Sequence, residues 1–344
     1  MKFTVIGITD SDKINFSEEI IGIIREGRVF SGGRRHHRLV EKFLPQGSEW
    51  IDITVPIEDV LKKYEEQDEI TVFASGDPLF YGFANTLKRE FPESEIKVIP
   101  TLNSLQLLAH RVLLPYADMV NVSLTGRSWE GLDVALIEGK QKIGVLTDRN
   151  KTPDCIARYL LKYDYDNYRI LVGEHLGNED ERVREMTLKE ASEETFSQPN
   201  CVILLRERKR RRFFGIPEGE FRHLAGRDNM ITKMPVRLVS LSMLDLPGKR
   251  VMWDIGYCTG SVSIEAKLNF PHLKIFAFEK REESEAILDE NTRRFGAPGI
   301  EDITGDFFDF DLTRFEKPDA VFIGVHGGRL KEMIRKVCGH LEEG

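Results

Sequence analysis

The chain has 344 residues, of which 41% are hydrophobic and 31% charged, and its formal net charge is −8. These values indicate a soluble globular protein of about two domains, and the negative charge disfavours nucleic acid as a partner. The apolar runs are too short to span a membrane, the N-terminus lacks a signal-peptide pattern, and four scattered cysteines predict a cytoplasmic protein without a metal site.

Short β-type runs alternate with amphipathic helical patterns along the chain. Strands are predicted at 3–8, 69–74, 96–99, 120–124, 142–146, 169–172, 200–205, 250–255, 274–278, 300–304 and 320–323. Helices are predicted between them, for example over 153–161 and 282–295. This alternation is typical of α/β proteins with largely parallel sheets.

Four loop segments of the first half follow predicted strands, where open α/β sheets bind ligands. They are 74–82, 100–104, 122–127 and 172–182. In the first, Pro78 would start a helix that Asp77 caps, and in the second either Asn103 or Ser104 would cap a helix. Without further information, each is also consistent with an ordinary capped turn.

The sharpest change in composition lies at 206–212, where six of seven residues are cationic. Like charges repel one another, so we predict a solvated linker over 207–214 between domains at 1–206 and 215–344. Two alternatives are contact with nucleic acid, which the lack of interleaved aromatics disfavours, and attraction of a polyanionic substrate.

Residues 253–265 form the most informative stretch, in which a strand, a glycine turn and a helix start follow one another. The strand ends with Asp254 and Ile255, the turn contains Gly256 and Gly260, and the helix start has two potential caps, Ser261 and Ser263. Further on, Glu279 ends the next strand, where a carboxylate can accept both hydroxyls of a ribose. Cys258 stands where a dinucleotide site needs glycine, so the pattern favours a nucleoside without a pyrophosphate, such as S-adenosylmethionine. The alternative is an ordinary strand-to-helix turn.

Taken together, these segments resemble the tetrapyrrole methylases of cobalamin biosynthesis. Similarity to the carbon-5 methyltransferase branch lies at 5–8, 31–36, 74–82, 104–106, 123–127 and 173–182. Similarity to the carbon-15 methyltransferase and decarboxylase lies at 230–233, 253–265, 279, 305–306 and 322–330. The resemblance implies a tetrapyrrole methylase fold of two α/β subdomains for carbon 5, then a Rossmann-like methyltransferase domain for carbon 15 and decarboxylation.

The resemblance also implies one S-adenosyl-L-methionine site in each domain. The implied cofactor residues are Gly7, Gly76, Asp77, Pro78 and Ser104 in the first domain, and Thr232, Asp254, Gly256, Gly260, Glu279 and Asp306 in the second. Asp306 has a helix cap as its alternative role.

The implied substrate is a tetrapyrrole that carries several carboxylates. Its candidate binding residues are Arg34, Arg35, Arg127, Gly327 and Gly328. Guanidinium groups match carboxylates, although each arginine is also consistent with a surface loop. His326 is a candidate catalytic base or a structural loop residue, and His36 and His37 are interpreted as loop residues.

Two other functions remain as alternatives to a methyltransferase. One is a nucleoside-binding oxidoreductase, which Cys258 disfavours, and the other is a non-catalytic S-adenosylmethionine-binding regulator.

The second domain is expected to lack its last strands. Family members carry further strands after the helix predicted over 329–341, so 320–323 would be an exposed sheet edge. The domain would then be truncated or completed by another chain. A homo-oligomer without a metal, nucleic-acid or membrane partner is expected.

Overall fold

The structure is a computed structural model that describes residues 1–9, 11, 14–211 and 213–341. Arg212 of the predicted linker and residues 342–344 of the predicted second domain lie outside the described residues. Three β-sheets follow one another along the chain, with helices between strands. Eight of the eleven strand pairings that the structure describes are parallel. The predicted α/β class with largely parallel sheets is therefore confirmed.

The first sheet is parallel throughout. Its strands are β1 (Lys2–Ile8), β2 (Val29–Gly32), β3 (Glu49–Asp52), β4 (Glu69–Ser75) and β5 (Glu95–Ile99). Their order is β3-β2-β4-β1-β5, and the connections contain α1 (Glu18–Glu26), α2 (Arg34–Val40), α3 (Glu58–Glu65) and α4 (Phe83–Glu90). The central β1 and β4 are buried over most of their length, as expected for apolar strands covered on both faces.

The second sheet is mixed. After α5 (Ser104–Arg111) come β6 (Val120–Ser123), β7 (Lys142–Leu146), β8 (Tyr168–Glu174), β9 (Arg182–Thr187) and β10 (Asn200–Arg206). Their order is β6-β7-β10-β8-β9, and only β6 and β7 pair in parallel. The helices of this part are α6 (Glu130–Ile137), α7 (Pro153–Lys162) and α8 (Leu188–Glu193).

The third sheet has the order β13-β12-β11-β14, and all its pairs are parallel. Its strands are β11 (Val251–Ile255), β12 (Lys274–Glu279), β13 (Ile300–Thr304) and β14 (Ala320–Ile323). The helices are α9 (Met234–Met243), α10 (Ser261–Asn269), α11 (Glu283–Phe295) and α12 (Leu330–Cys338). In the part of the chain that the structure describes, no helix is long and apolar enough to cross a membrane.

The predicted helix start at Pro78 is wrong, because α4 begins five residues later. Asp77 does not cap a helix. Its Oδ1 accepts a hydrogen bond of 2.9 Å from the N–H of Leu79 and closes a local turn, which competes with helix formation. Asn103 is the cap of α5, since its Oδ1 accepts from the N–H of Gln106 at 2.9 Å.

The predicted caps of α10 are also wrong. Gly260 precedes the helix with φ +73°, and Ser261 and Ser263 lie inside its first turn. The N–H of Ser263 donates instead to Oδ2 of Asp254 at 3.1 Å. The carboxylate from the preceding strand therefore accepts the hydrogen bond of a helix N–H that would otherwise go to a capping side chain.

The basic run is not wholly solvated, so that prediction is wrong for Arg210. Its guanidinium lies 4.6 Å from the ring centre of Tyr165 and donates to the carbonyls of Tyr163 (2.9 Å) and Arg294 (3.3 Å). Those carbonyls lie at the C-terminal ends of α7 and α11, where a cation is favoured. Arg210 thereby links α7, which belongs to the part of the chain with the second sheet, to α11, which belongs to the part with the third sheet.

Candidate cofactor and substrate clefts

A cleft of about 1470 Å³ lies between the first and second sheets. The ends of β1 and β4 and the start of α5 line one side, and Gly173 and Cys201 of the second sheet line the other. Among the cofactor residues predicted for the first domain, Gly76 and Ser104 line this cleft. The carboxyl ends of parallel strands thus open into it, as ligand sites of α/β folds do.

Three other predicted residues do not line this cleft but neighbour residues that do, namely Gly7, Asp77 and Pro78. A Cβ at Gly7 would overlap the carbonyl oxygen of Gly76 and would lie 2.9 Å from the nitrogen of Thr101. The same Cβ would lie 3.1 Å from Cδ of Pro78. Position 7 therefore has room only for glycine, because the backbone of three segments meets there.

The structure places the three predicted arginines differently. Arg35 lines the cleft, and its Nη2 donates to Oγ of Ser75 at 3.3 Å. Arg127 does not line the cleft, but its guanidinium lies 5.1 Å from the ring centre of Tyr81, which does. Arg34 is exposed at the first position of α2, outside the residues that line the cleft.

His36 lines the same cleft, so its interpretation as a loop residue is wrong, as is that of His37, since both lie in α2. Nδ1 of His36 accepts from the N–H of Gly33 at 3.3 Å, and Nε2 lies 2.8 Å from Oγ of Ser75. Burial, and then the charge of Arg35, lower the pKa of His36 to about 4. The imidazole is therefore neutral at physiological pH and donates through Nε2–H.

A second cleft, of about 560 Å³, lies at the carboxyl ends of the third sheet. It brings together five residues predicted from the sequence, namely Gly256, Glu279, Asp306, His326 and Gly327. Gly256 has φ +79°, and a Cβ there would lie 2.8 Å from the nitrogen of Val325. The glycine thus allows the turn after β11 to approach the loop after β14 closely.

Glu279 is nearly fully buried and is surrounded by N–H donors. Its Oε2 accepts from the N–H of Cys258 at 3.1 Å. Its Oε1 accepts from the N–H groups of Lys280 and Arg281 and, at 2.8 Å, from Nη1 of Arg281. Arg281 also lines the cleft and was not predicted; its position two residues after the strand-end carboxylate was the available signal.

Asp254 and Gly260 support the second cleft but do not line it. Oδ2 of Asp254 accepts from the N–H and the hydroxyl of Ser263, and burial raises the pKa of Asp254 to about 6. A Cβ at Gly260 would overlap Cδ1 of Leu288, so this glycine allows α10 to pack against α11. Thr232 also lies outside the lining, and its carbonyl accepts from Nη1 of Arg237 at 2.9 Å.

Cys258 occupies the middle of the turn with φ +53°, and its side chain faces away from the cleft. The thiol donates to the carbonyl of Met230 at 3.0 Å and packs with Leu224 and Ile287. Burial raises the pKa of Cys258 to about 11, so the thiol stays protonated at neutral pH. A cysteine is therefore accommodated at this position without narrowing the cleft.

The loop after β14 orients His326. Its Nδ1 accepts from the N–H of Gly328 at 3.1 Å, which leaves the proton of a neutral ring on Nε2. In this arrangement the neutral ring can donate a hydrogen bond through Nε2–H. Gly328 itself does not line the cleft. Oδ1 of Asp306 accepts from the N–H of Phe308 at 2.9 Å, so Asp306 closes a turn instead of capping a helix.

Comparison with known proteins gives two family matches. The model described as tetrapyrrole (corrin/porphyrin) methylases matches residues 2–192, and the model described as precorrin methyltransferase domain matches residues 223–344. The chain is 30% identical over 328 residues to precorrin-6Y C(5,15)-methyltransferase [decarboxylating] of Sinorhizobium sp, which covers 94% of this chain and 78% of that protein.

Two relatives from Salmonella typhimurium match parts of the chain. One, a cobalt-precorrin-6B C(15)-methyltransferase (decarboxylating), is 40% identical over 121 residues, which is 35% of this chain and 62% of the relative. The other, a cobalt-precorrin-7 C(5)-methyltransferase, is 26% identical over 207 residues, which is 60% of this chain and 99% of the relative.

The three sheets, the clefts at strand carboxyl ends and the two family matches define an S-adenosylmethionine-dependent methyltransferase that acts on tetrapyrroles. One match spans more than half of the chain, and an alignment over 94% of the chain reaches 30% identity. The chain belongs to the tetrapyrrole methylase family, in its branch of precorrin-6Y C(5,15)-methyltransferases (decarboxylating). Family membership favours this class over the oxidoreductase and regulator alternatives.

Proposed function

We propose that the chain methylates a precorrin or cobalt-precorrin ring at carbons 5 and 15 and removes CO₂ from a ring acetate, in cobalamin biosynthesis. The observation that carries the proposal is the presence of two separate clefts in one chain, the first lined mostly and the second wholly by residues of a different family match. The two relatives named for a single methylation match only 60% and 35% of the chain. The relative named for both methylations matches 94% of it.

The proposal divides the chain at the basic run. Residues 1–206, with the larger cleft, would methylate carbon 5, and residues 215–344, with the smaller cleft, would methylate carbon 15 and decarboxylate. Residues 207–214 would connect them, held by Arg210 on the helix ends described above. The larger cleft lies between two sheets and offers more space for a macrocycle.

The residues present fit a nucleoside cofactor in both clefts. S-adenosylmethionine supplies an activated methyl group when bound. In the second cleft, the Glu279 carboxylate would accept the ribose hydroxyls, the turn at Gly256 would approach the cofactor, and Asp306 would bind the adenine amine. In the first, Gly76 and Ser104 would contact the cofactor. Gly7, Asp77, Pro78, Thr232, Asp254 and Gly260 would act by shaping the clefts.

Substrate binding would rest on charge and on one oriented histidine. Arg35 in the cleft and Arg127 at its rim would pair with ring carboxylates, while Arg34 on the exposed helix start would contribute less. In the second cleft the loop at Gly327 would contact the ring. Loss of CO₂ leaves an electron pair on the side-chain carbon and the conjugated ring. That carbon would then take its proton from solvent, because a neutral imidazole donates a hydrogen bond through Nε2–H but does not give up that proton. His326 lines this cleft, would donate such a hydrogen bond to the ring, and stays the candidate catalytic residue.

Location and assembly are part of the same proposal. All four cysteines are free, which fits the reducing cytoplasm. For a homo-oligomer, the support is an exposed apolar stripe on α9, where Val236, Val239 and Met243 are 57%, 59% and 81% exposed. These positions share one face of a helix, so they form a contact surface that a second copy could cover.

The test is product analysis with the full chain, S-adenosylmethionine and a precorrin or cobalt-precorrin substrate. We expect a mass gain of two methyl groups and the loss of one CO₂, with carbon positions assigned by NMR from ¹³C-methyl donor. Inhibition by S-adenosylhomocysteine is the control for cofactor dependence. Unchanged substrate, or two methyl groups at other carbons, would overturn the proposal.

A further inference from the structure

A third cleft, of about 1370 Å³, lies between the two halves of the chain. We call it the linker cleft. Its lining includes the end of α6, residues 165 and 167, residues 206 and 209–211 of the basic run, residues 213–214, and residues 268, 269 and 295 of the second half. It is separate from the two clefts at strand carboxyl ends, with which it shares no lining residue. The proposed function makes no use of it.

The cations of the basic run divide into two kinds. Arg208 pairs with Asp166 at 2.6 Å, and Arg210 is bound to two helix ends. Lys209 and Arg211 are exposed, line the linker cleft and form no ion pair with any residue that the structure describes. The guanidinium of Arg211 lies over the ring of Phe213 at 5.1 Å. Two cations are thus available to an anionic ligand.

Asn167 supplies a second, independent observation. It is 2% exposed, and its Nδ2 donates to the carbonyl of Arg208 at 2.9 Å. Asn167 lines the linker cleft, and its Oδ1 is buried and has no hydrogen-bond partner among the described residues. A buried acceptor without a donor is unfavourable, so this atom indicates a ligand that brings an N–H or O–H group.

An apolar surface completes the cleft. Phe214 lines it with 79% of the residue exposed, although large aromatic side chains are normally buried. Phe213 and Phe295 lie beside it and make an edge-to-face contact with each other at 5.5 Å. The ligand that matches all three features has a flat apolar face, several carboxylates and hydrogen-bond donors.

We propose that the linker cleft is a holding site for a polycarboxylate tetrapyrrole, which occupies it between the two methylations performed by one chain. Carboxylates pair with Lys209 and Arg211, a donor group of the ligand reaches Oδ1 of Asn167, and the ring face packs on Phe214. The net charge of the chain is −8, which repels a polyanion at long range, and a local cationic cleft would retain it. This inference rests on the proposed function.

The binding test uses uroporphyrin I, an octacarboxylate tetrapyrrole, with the full chain carrying Phe214→Trp. The quenching in excess of that of the unaltered chain, which has three tryptophans of its own, reports occupancy of this cleft. Lys209→Glu/Arg211→Glu in the same background reverses both free cations, and we expect the affinity to fall about tenfold or more, since exposed ion pairs contribute up to about fivefold each. The control Lys62→Glu/Lys63→Glu changes two exposed cations of α3 by the same charge and should leave the affinity within about twofold.

Two results of the binding test would overturn the inference. One is equal affinity of the cleft variant and the control for uroporphyrin I. The other is displacement of uroporphyrin I by citrate or tripolyphosphate at equal charge concentration, because the cleft would then bind any anion. Weak competition by these anions supports a site that also recognises the ring.

A kinetic test separates this inference from the proposed function. Each methylation is first measured alone, with its own substrate supplied, and Lys209→Glu/Arg211→Glu should leave both rates unchanged. In the coupled reaction the variant should release at least about threefold more singly methylated intermediate into solution, because its linker cleft would bind the intermediate more weakly. Equal release with both methylations intact contradicts the holding site. Absence of both methylations in the unaltered chain contradicts the proposed function, while the uroporphyrin test still decides on the cleft.

Discussion

The N–H of Cys258 donates a hydrogen bond of 3.1 Å to Oε2 of Glu279, across 21 residues of sequence. This bond ties the turn after β11 to the end of β12 at the edge of the second cleft. The carboxylate predicted to hold a ribose therefore also holds the shape of the turn next to it. Its replacement should affect both the ligand and the local fold.

Replacing Glu279 with glutamine should weaken nucleoside binding at the second cleft by roughly 10- to 150-fold, because a hydrogen bond to a charged group contributes about 1.5–3 kcal/mol. A lower melting temperature should accompany the loss, since Arg281 and the Cys258 turn lose a charged partner. Calorimetry with S-adenosylhomocysteine measures the first effect and thermal unfolding the second. Glu283→Gln, at an exposed position on α11, is the control. Unchanged affinity would remove Glu279 from the site.

Gly7→Ala should abolish carbon-5 methylation, because a Cβ at this position would overlap the backbone carbonyl of Gly76, which cannot move without distorting the first cleft. Gly22→Ala is the matched control. A Cβ there meets nothing within 4 Å in α1, so it should be neutral or stabilising by about 0.5–1 kcal/mol. Both variants are assayed for carbon-5 and carbon-15 methylation. Retained carbon-5 activity in Gly7→Ala would contradict the proposed backbone packing.

The order and type of most elements could be predicted from the sequence, because long buried strands leave continuous apolar runs. β7 and β14 match their predicted bounds. β2 and β3 each have two apolar residues beside two polar or small ones, and β9 alternates charged and apolar side chains at a sheet edge, so none of the three was predicted. Short or edge strands depend on their neighbours, and that information is not local in sequence.

The candidate site was predictable where a residue type is tied to a strand end, as for Glu279, Asp306 and Gly256 in the second cleft. The site was not predictable where a side chain contacts partners that are distant in sequence. Arg210 binds carbonyls of two helix ends, and His36 contacts Ser75 of β4, which lies 39 residues further along the chain. Sequence alone does not place those partners together.

Asp133 should make stability depend on pH. It is 2% exposed, Tyr159 donates to its Oδ1 at 2.7 Å, and Lys267 lies near. Burial raises its pKa to about 6, whereas the hydrogen bond and the lysine charge oppose the rise and Glu130 adds to it. The folded state therefore holds the proton more tightly than the unfolded state, whose pKa is about 3.9. The stabilisation of the folded state by protonated Asp133 is therefore fully present below about pH 4 and is lost as pH rises from about 4 to 6.

Asp133→Asn should therefore flatten the decline of stability between about pH 4 and pH 7, by up to about 3 kcal/mol for a shift of about two pH units. Urea unfolding at several pH values measures the slope. The exposed Asp68→Asn is the control and should leave the slope unchanged. An equal slope in Asp133→Asn and the unaltered chain would show that Asp133 is not the titrating group.

Arg210→Ala should loosen the contact between the two halves. It removes hydrogen bonds to the carbonyls of Tyr163 and Arg294, and hydrogen bonds of a charged group contribute about 1.5–3 kcal/mol each. We expect faster proteolytic cleavage within the basic run and a lower melting temperature. Arg208→Ala, which removes an exposed ion pair with Asp166, should change both by much less. Similar effects of the two variants would contradict the anchoring role of Arg210.

The most direct measurement counts the nucleoside sites on one chain by calorimetric titration of the full-length protein with S-adenosylhomocysteine. We predict two sites, one at the cleft lined by Gly76 and Ser104 and one at the cleft lined by Glu279 and Asp306. Glu279→Gln should weaken one site and leave the other unchanged. A single site in the unaltered chain, or the weakening of both sites by Glu279→Gln while the fold is retained, would contradict two independent methylation sites.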